Sequence, residues 1–461
     1  HRNNLRGDVF QVDIRTMDFE LLPEPGEVEI VVGSPPCTQF SYSNRGGNGD
    51  IADGLKDMYR FLEIVAYLKP KFWAFENVPR VKKVIDHELR DGGVLSEFSE
   101  LFQDASVEVL DMSEFGVPQR RKRCVAGNLD FQLLKQYSAR QKERSLGNVV
   151  EALKAKHDPI YGLLSPEELI DDEHEAFLDW EEVRFNRDMK VAHPVYNGMP
   201  FPEPMDRPAR TVTATCTRVS RESLVVEDTE FGGFRRLSVR ERASLQGFPV
   251  TFQFHGKSHA EKLKMIGNAI PPAFTYFIGN ALSETKADDV KPLAKVCLDG
   301  IILPSIPKNT KPETPGRSYP DDRRFRFAIP SLRFKSGMRF ELANVRGPDD
   351  WKVEFFFGDS KRIHSHLFSD SEIEQVFGKL SERDRASAVL LCEKVSILAS
   401  SLSSETMQKT WSRKMDGIHP FQIVDRLDEL VSSVIDSEFL SQEEYLQLAT
   451  EWLFEVLSIA G

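Results

Sequence analysis

Apolar residues along this chain gather into short dense runs, separated by stretches in which they recur every three or four positions. Val28-Glu29-Ile30-Val31-Val32 and Phe72-Trp73-Ala74-Phe75 read as strands of a buried sheet. Between them, from Asp57 to Lys69, Met58, Phe61, Leu62, Val65 and Leu68 recur at helical intervals, and Pro70 closes the helix. Strand, helix and strand over about forty-five residues make a βαβ unit, which needs the two strands parallel. Val107 to Leu110 and Arg123 to Ala126 predict two further strands. The expected class is α/β, with ligands at the carboxyl edge of an open sheet.

The pattern changes past Leu282. Residues 284 to 322 are rich in Lys, Pro, Asp and Thr and read as a linker. Arg324 to Phe334, Met338 to Val345 and Trp351 to Phe357 then alternate as strands do. From Ser371 the spacing is helical. Val389, Leu390, Val395, Ile397 and Leu398 are expected in a core, and Tyr445 to Ile459 is amphipathic and acidic. Residues 323 to 461 are thus a β-then-α piece, an α+β extension of unassigned role.

A chain of 461 residues is too long for one ordinary core. Its five cysteines include no CxxC pair, which argues against a disulfide framework and a zinc site. His364 and His366 have no Cys or carboxylate spaced to complete a metal site, so no metal is expected. No run approaches ~18 consecutive apolar residues, so no transmembrane helix and no membrane partner are expected.

The net charge of −12 is awkward for a nucleic-acid binder, but local clusters decide that question. Much of the acid lies in one run, Glu167, Glu168, Asp171, Asp172, Glu173, Glu175, Asp179, Glu181 and Glu182, expected to face solvent. Against it stand Arg120 to Arg123, and Arg218, Arg221, Arg235 and Arg236. The second group lines a nucleic-acid cleft in one reading and an ordinary solvated surface in the other. Residues 308 to 362 hold 13 Lys/Arg against 8 Asp/Glu, and a β-meander with charged outer faces is favoured there over an accessory nucleic-acid contact.

Two strand ends carry reactive side chains. Ser34-Pro35-Pro36-Cys37-Thr38-Gln39-Phe40-Ser41 sets a thiol just after the first strand, and Glu76-Asn77-Val78 sets a carboxylate at the end of the second. In a parallel pair the two meet at one edge, an arrangement for covalent catalysis on an electron-poor ring. Gly116-Val117-Pro118-Gln119-Arg120-Arg121-Lys122-Arg123 joins the next two strands. Taken singly, Cys37 is a small buried hydrophobe, Glu76 a turn cap and the arginines a solvated loop. Their joint occurrence at strand ends favours chemistry.

These segments resemble the DNA cytosine-5 methyltransferases. Pro36-Cys37 with Phe40-Ser41 is similar to that family's nucleophile loop, Glu76-Asn77-Val78 to its Glu-Asn-Val motif, and Gln119, Arg121 and Arg123 to its Gln-x-Arg-x-Arg motif. Arg207 to Thr213, Leu245-Gln246-Gly247-Phe248-Pro249 and Gly267-Asn268-Ala269-Ile270-Pro271-Pro272 resemble its later motifs, so the likeness covers residues 1 to 283. The resemblance implies a Rossmann-like methyltransferase sheet, with a catalytic core over 1–129, an inserted target-recognition region over 130–205 and a closing part over 206–283. It implies transfer of a methyl group from S-adenosyl-L-methionine to C5 of a cytosine flipped out of double-stranded DNA. Cys37 is then the nucleophile at C6, Glu76 the proton donor at N3, Arg123 the holder of the exocyclic oxygen, and Arg121 a brace for the base or a phosphate. Asp8, Pro36 and Asn268 fall where the family holds the cofactor, and Ser41, Gln119 and Arg210 where it meets DNA. The loop Asn44 to Gly49 is expected to close over DNA, and Arg184, Arg187, Lys190, His193, Tyr196 and Asn197 to offer base-reading groups.

The sequence departs from the family pattern in two places. Thr38 stands where Gln usually follows the cysteine, a tolerated change. The Gly-rich cofactor loop and the strand-end acid expected before Gly7-Asp8-Val9 are absent, and residues 285 to 461 offer no displaced copy. An upstream segment or a second chain is therefore expected to supply the rest of the cofactor pocket. The leading reading is a cytoplasmic, nucleoid-associated enzyme of a bacterial modification or defence system. A tRNA cytosine-5 methyltransferase and a non-catalytic DNA-binding regulatory module are the alternatives.

Overall fold

The structure is a computed structural model, and it describes residues 4, 7–41, 49–162, 175–192, 198–296, 305, 307, 310–334, 337–359, 362–366, 371, 375, 378 and 381–435. The chain forms two compact units, residues 1–178 with 201–313, and residues 179–200 with 314–461.

The first unit is built on a four-stranded sheet of order β1-β2-β4-β3, with β1 at Ile30–Gly33, β2 at Phe72–Asn77, β3 at Ser106–Asp111 and β4 at Lys122–Gly127. β1 and β2 are parallel, as the βαβ reading requires, in the register Ile30↔Phe72 to Gly33↔Phe75. β4 runs antiparallel to both β2 and β3. Side-chain alternation splits the sheet into two faces. Trp73, Phe75, Cys124 and Ala126 point into a core with Met58, Phe61, Leu62 and Val65. Ala74 and Val125 point into another, with Met112, Phe115, Phe274 and Phe277. Helices therefore cover both faces of β2 and β4. β1, read as a buried strand, is instead half open: among the described residues it pairs only with β2, and Val32 is 63% exposed.

The connecting helix spans Ile51–Leu68 and begins earlier than the expected Asp57. Asp50 caps it by accepting a hydrogen bond from the Asp53 amide, and Lys69 ends it in the left-handed region with its N–H on the Val65 carbonyl. The Asp50 cap sets the early start, and Gly54 lets the first turn pack closely. A Cβ there would lie 2.8 Å from the Phe40 ring, so only glycine lets the helix settle on this fully buried residue of the cysteine loop. A hairpin, β5 at Val225–Asp228 and β6 at Gly233–Arg236, and the helices Val239–Leu245, His259–Asn268 and Pro272–Leu282 complete the unit. Within the stretch read as a linker, Leu293 is buried in the core that holds Phe274 and Phe277.

The second unit contains an antiparallel sheet of order β10-β9-β8-β7, with β7 at Arg326–Arg333, β8 at Arg339–Ala343, β9 at Lys352–Asp359 and β10 at Arg362–His366. Three of these strands were legible from alternation; β10 was not. The helices Glu382–Ser400, Ser404–Arg413 and Pro420–Ile435 supply Leu391, Val395, Trp411, Phe421 and Leu427 to a core with Phe325, Phe340 and Trp351. Leu391, Val395 and Leu398 form the inward stripe at helical spacing, so Val389, Leu390 and Ile397 lie on the outer face at 45%, 49% and 70% exposed. Those three were expected in the core, and the structure corrects this. The helix Trp180–Lys190, which lies within the stretch expected for target recognition, belongs to this second unit, where Phe185 and Met189 pack on its core. Tyr445 to Ile459 lies outside the described residues.

Candidate active site

Register brings the predicted thiol and carboxylate together. β1 ends at Gly33 opposite Phe75, which leaves Ser34 beside Glu76. The Ser34 hydroxyl donates to Glu76 Oε2 at 3.1 Å. Three residues on, the Cys37 carbonyl accepts from the Phe40 amide at 3.0 Å, and buried Phe40 pins that turn. Asn77 Nδ2 donates to the Pro35 carbonyl at 3.1 Å, which ties the cysteine loop to the end of β2. Gln39 accepts from the Asp50 amide at 2.9 Å and so staples the two ends of the following loop. Residues 42–48 of that loop lie outside the described residues.

Glu76 is opposite Val125 in the β2/β4 register, so Arg123 is its diagonal neighbour on the same face. Arg123 Nε lies 2.8 Å from Glu76 Oε1, with both side chains nearly buried. Cys37 is half-buried and feels this pair. Burial pushes its thiol above the ordinary value, Arg123 and Arg121 pull it down, and Glu76 pushes it up; the net shift is upward.

The other two residues of the arginine motif turn inward. Arg121 is buried and donates to the carbonyls of Val212, Gly267 and Ala269 at 3.1, 3.0 and 3.1 Å. Burial, then the like charge of Arg123, lowers its pKa. It knits three distant segments together. Gly267 serves the same junction, because a Cβ there would lie 2.3 Å from the backbone of Thr213 and Ala214. Gln119 is fully buried, accepts from the Val212 amide at 2.9 Å and donates to the Leu245 carbonyl at 2.9 Å and to Gln246. Arg121, which the resemblance sets as a brace for the base or a phosphate, and Gln119, which it sets at the DNA, here hydrogen-bond within the scaffold, and Arg121 Nε is buried without a hydrogen-bond partner.

Arg210 is held by buried Glu203, with Nε at 2.7 Å, rather than presented outward alone. Ser41 is half-buried. Arg218 and Arg236 are 3% and 1% exposed, so neither the cleft nor the solvated-surface reading holds for them. Arg236 is paired with Glu175 at 2.9 Å and Glu313 at 3.1 Å, and Glu175 also meets His259 at 3.0 Å. The acidic run is correspondingly not all solvated: Glu175, Glu181 and Glu182 are buried. In the second unit, Lys190 is buried against Asn186, and Arg184 pairs with Asp188 and Asp425. His193, Tyr196 and Asn197 lie outside the described residues.

For a cofactor, Asp8, Pro36 and Asn268 are all exposed, and Pro36 lies just past the carboxyl end of β1. The residues missed by sequence reasoning are Ser34 and Gln246. Ser34 was findable, since it directly follows the strand that faces Glu76. Gln246, which donates to the Ile266 carbonyl at 2.7 Å, carries no local signal of its partner.

Residues 1–284 match the C-5 cytosine-specific DNA methylase family, and the chain belongs to it. It is a DNA cytosine-5 methyltransferase, of a family that takes its methyl group from S-adenosylmethionine and acts on DNA. Among its relatives, the type II methyltransferase M.HindV of Haemophilus influenzae is 25% identical, covering 63% of this chain and 87% of that protein. M.FnuDI of Fusobacterium nucleatum is 27% identical, covering 63% and 86%. The solved Entamoeba histolytica methyltransferase EhMeth aligns with a TM-score of 0.40 at 16% identity, over 60% of this chain and 83% of that one. Among the described residues no helix is long and apolar enough to cross a membrane.

Proposed function

We propose that Cys37 attacks C6 of a cytosine flipped out of double-stranded DNA and holds it as a covalent adduct while C5 is methylated. The observation that carries this reading is the Glu76–Arg123 pair beside the cysteine loop. N3 and O2 are adjacent atoms on one edge of cytosine. A carboxyl and a guanidinium side by side match that edge, Glu76 giving or sharing a proton at N3 and Arg123 holding O2. Attack at C6 drives charge onto N3, and that proton relieves it. C5 thereby becomes an enamine carbon able to take an electrophile. S-adenosylmethionine, when bound, supplies an electrophilic methyl group. Loss of the C5 proton and elimination then free the Cys37 thiolate. DNA carrying 5-fluorocytosine should trap the enzyme with its full cofactor pocket as an SDS-stable complex in the presence of S-adenosylmethionine, and Cys37→Ser should abolish it; an undiminished complex in the Ser variant contradicts the assignment.

Asp8, Pro36 and Asn268 would hold part of the cofactor. A further polypeptide segment, upstream or on a second chain, would supply the glycine-rich loop and the ribose-binding acid that these 461 residues lack. The open edge of β1 and the exposed apolar side chains near it in sequence, Phe10 at 77%, Leu21 at 62% and Val32 at 63%, support this. A bacterial modification or defence system, on the nucleoid in the cytoplasm, is the setting that fits the type II relatives.

A further inference from the structure

Most of the second unit lies beyond the family match, and it holds an arginine-lined cavity. The cavity holds about 230 Å³ between the helix Trp180–Lys190 and β7–β8, with Arg184, Arg187, Arg326 and Arg333 in its wall against Asp188 and Glu341. The carboxylates already face arginines, and Glu341 Oε2 is buried without a hydrogen bond. Asp188 pairs with Arg184 at 2.5 Å and lies 3.4 Å from Arg187. Glu341 receives Arg339 at 2.7 Å and lies 3.0 Å from Arg326. Arg333 is left out. No ion pair or hydrogen bond among the described residues holds its side chain, and its Nε is buried without a partner. Its cross-strand neighbour is Arg339, a like charge directly opposite, which is unfavourable in a sheet.

We propose that this pocket binds a phosphate group, with a DNA backbone phosphodiester as its occupant. A buried N–H without an acceptor is costly, and a fixed guanidinium fork is the side chain best matched to phosphate oxygens. The volume is below the usual range for whole drug-sized ligands and suits a phosphate with its immediate substituents. Burial, and then the charge of Arg339, lowers the pKa of the Arg333 guanidinium, Asp188 and Glu341 raise it, and the net shift is downward. The DNA arm of the proposal rests on the methyltransferase reading, but the pocket shares no residue with the Cys37 site.

The test is duplex binding by the 461-residue chain as a function of salt, for wild type, Arg333→Gln and Arg187→Ala. Removing one phosphate contact should weaken binding about tenfold at low salt, equally on any sequence, and reduce the slope of log K against log salt by about one. Because Arg333 faces Arg339 and has no hydrogen bond or close ion pair to lose, Arg333→Gln should melt no lower than wild type. A second arm adds inorganic phosphate without DNA and follows the melting temperature. Phosphate stabilisation that Arg333→Gln abolishes, with an unchanged DNA salt slope, assigns the pocket to free phosphate. If both variants leave the salt slope and the phosphate response unchanged, the proposal is overturned. Cys37→Ser should abolish the covalent adduct and leave the salt slope intact, which separates this test from that of the catalytic reading.

Discussion

Arg123 reaches diagonally from β4 to Glu76 on β2, with Nε 2.8 Å from Oε1, while Ser34 donates to the second carboxylate oxygen from 3.1 Å. The carboxylate is thus fixed in position by one cation and one hydroxyl before any substrate arrives. Such preorganisation lowers the reorganisation needed in the transition state.

Glu76→Gln keeps the shape of the side chain and removes its ability to give up and regain a proton. Methyl transfer should fall ~10²-fold or more, the usual size of a general-acid contribution. The loss should be in the single-turnover rate, with DNA affinity little changed. A near-normal rate in the variant would remove Glu76 from the mechanism.

The Cys37 thiol should alkylate with a pH midpoint above that of an ordinary cysteine, because burial raises its pKa. Glu76 pushes in the same direction and Arg123 in the opposite one. Glu76→Gln removes the negative charge and leaves the cation, so the midpoint should move down. Rates of Cys37 alkylation by iodoacetamide across pH, read as mass added to the protein, check this; an upward or absent shift would mean that the two groups do not sense each other.

Acid stability of the second unit should depend on Glu181. Burial alone would raise its pKa, but His419, Lys414 and Arg323 hold it down at about 2. A depressed carboxyl stabilises the fold above its unfolded value near 4.5 and loses that stabilisation as pH falls toward 2. The contribution is of order 3 kcal/mol. Glu181→Gln should flatten the pH dependence of melting in that window and destabilise at neutral pH, since it strands buried cations. An unchanged acid profile would contradict the pairing.

Isothermal titration should find weak S-adenosylmethionine binding by these 461 residues alone, and tighter binding once a polypeptide carrying the glycine-rich loop is supplied. The missing hydrogen bonds are each worth ~0.5–1.5 kcal/mol. Tight binding by the chain alone would show that the pocket is complete without it.

What the sequence disclosed follows the range of the forces involved. The βαβ unit was legible because hydrophobic period and helix stops act locally, and the meeting of Cys37 with Glu76 followed from parallel pairing alone. The inward turn of Arg121 and Gln119 was not legible. Their partners, at Val212, Leu245 and Gly267, are over ninety positions away along the chain. The burial of Arg236 with Glu175 was hidden for the same reason: each looks like surface until its counter-charge is known. Val389 and Leu390 misled because a helix with apolar residues all round does not declare its inner stripe.

The central claim is that Cys37 adds to C6 of cytosine. Addition makes C5 an enamine carbon, which takes up a solvent proton, and reversal then releases the hydrogen it first carried. Loss of tritium to water from DNA labelled at cytosine C5 therefore reports the addition without need of a methyl donor. Wild-type chain should release tritium at a measurable rate, and Cys37→Ser should release none. Release by the Ser variant at the wild-type rate, or none from wild type bound to its DNA, would contradict the account.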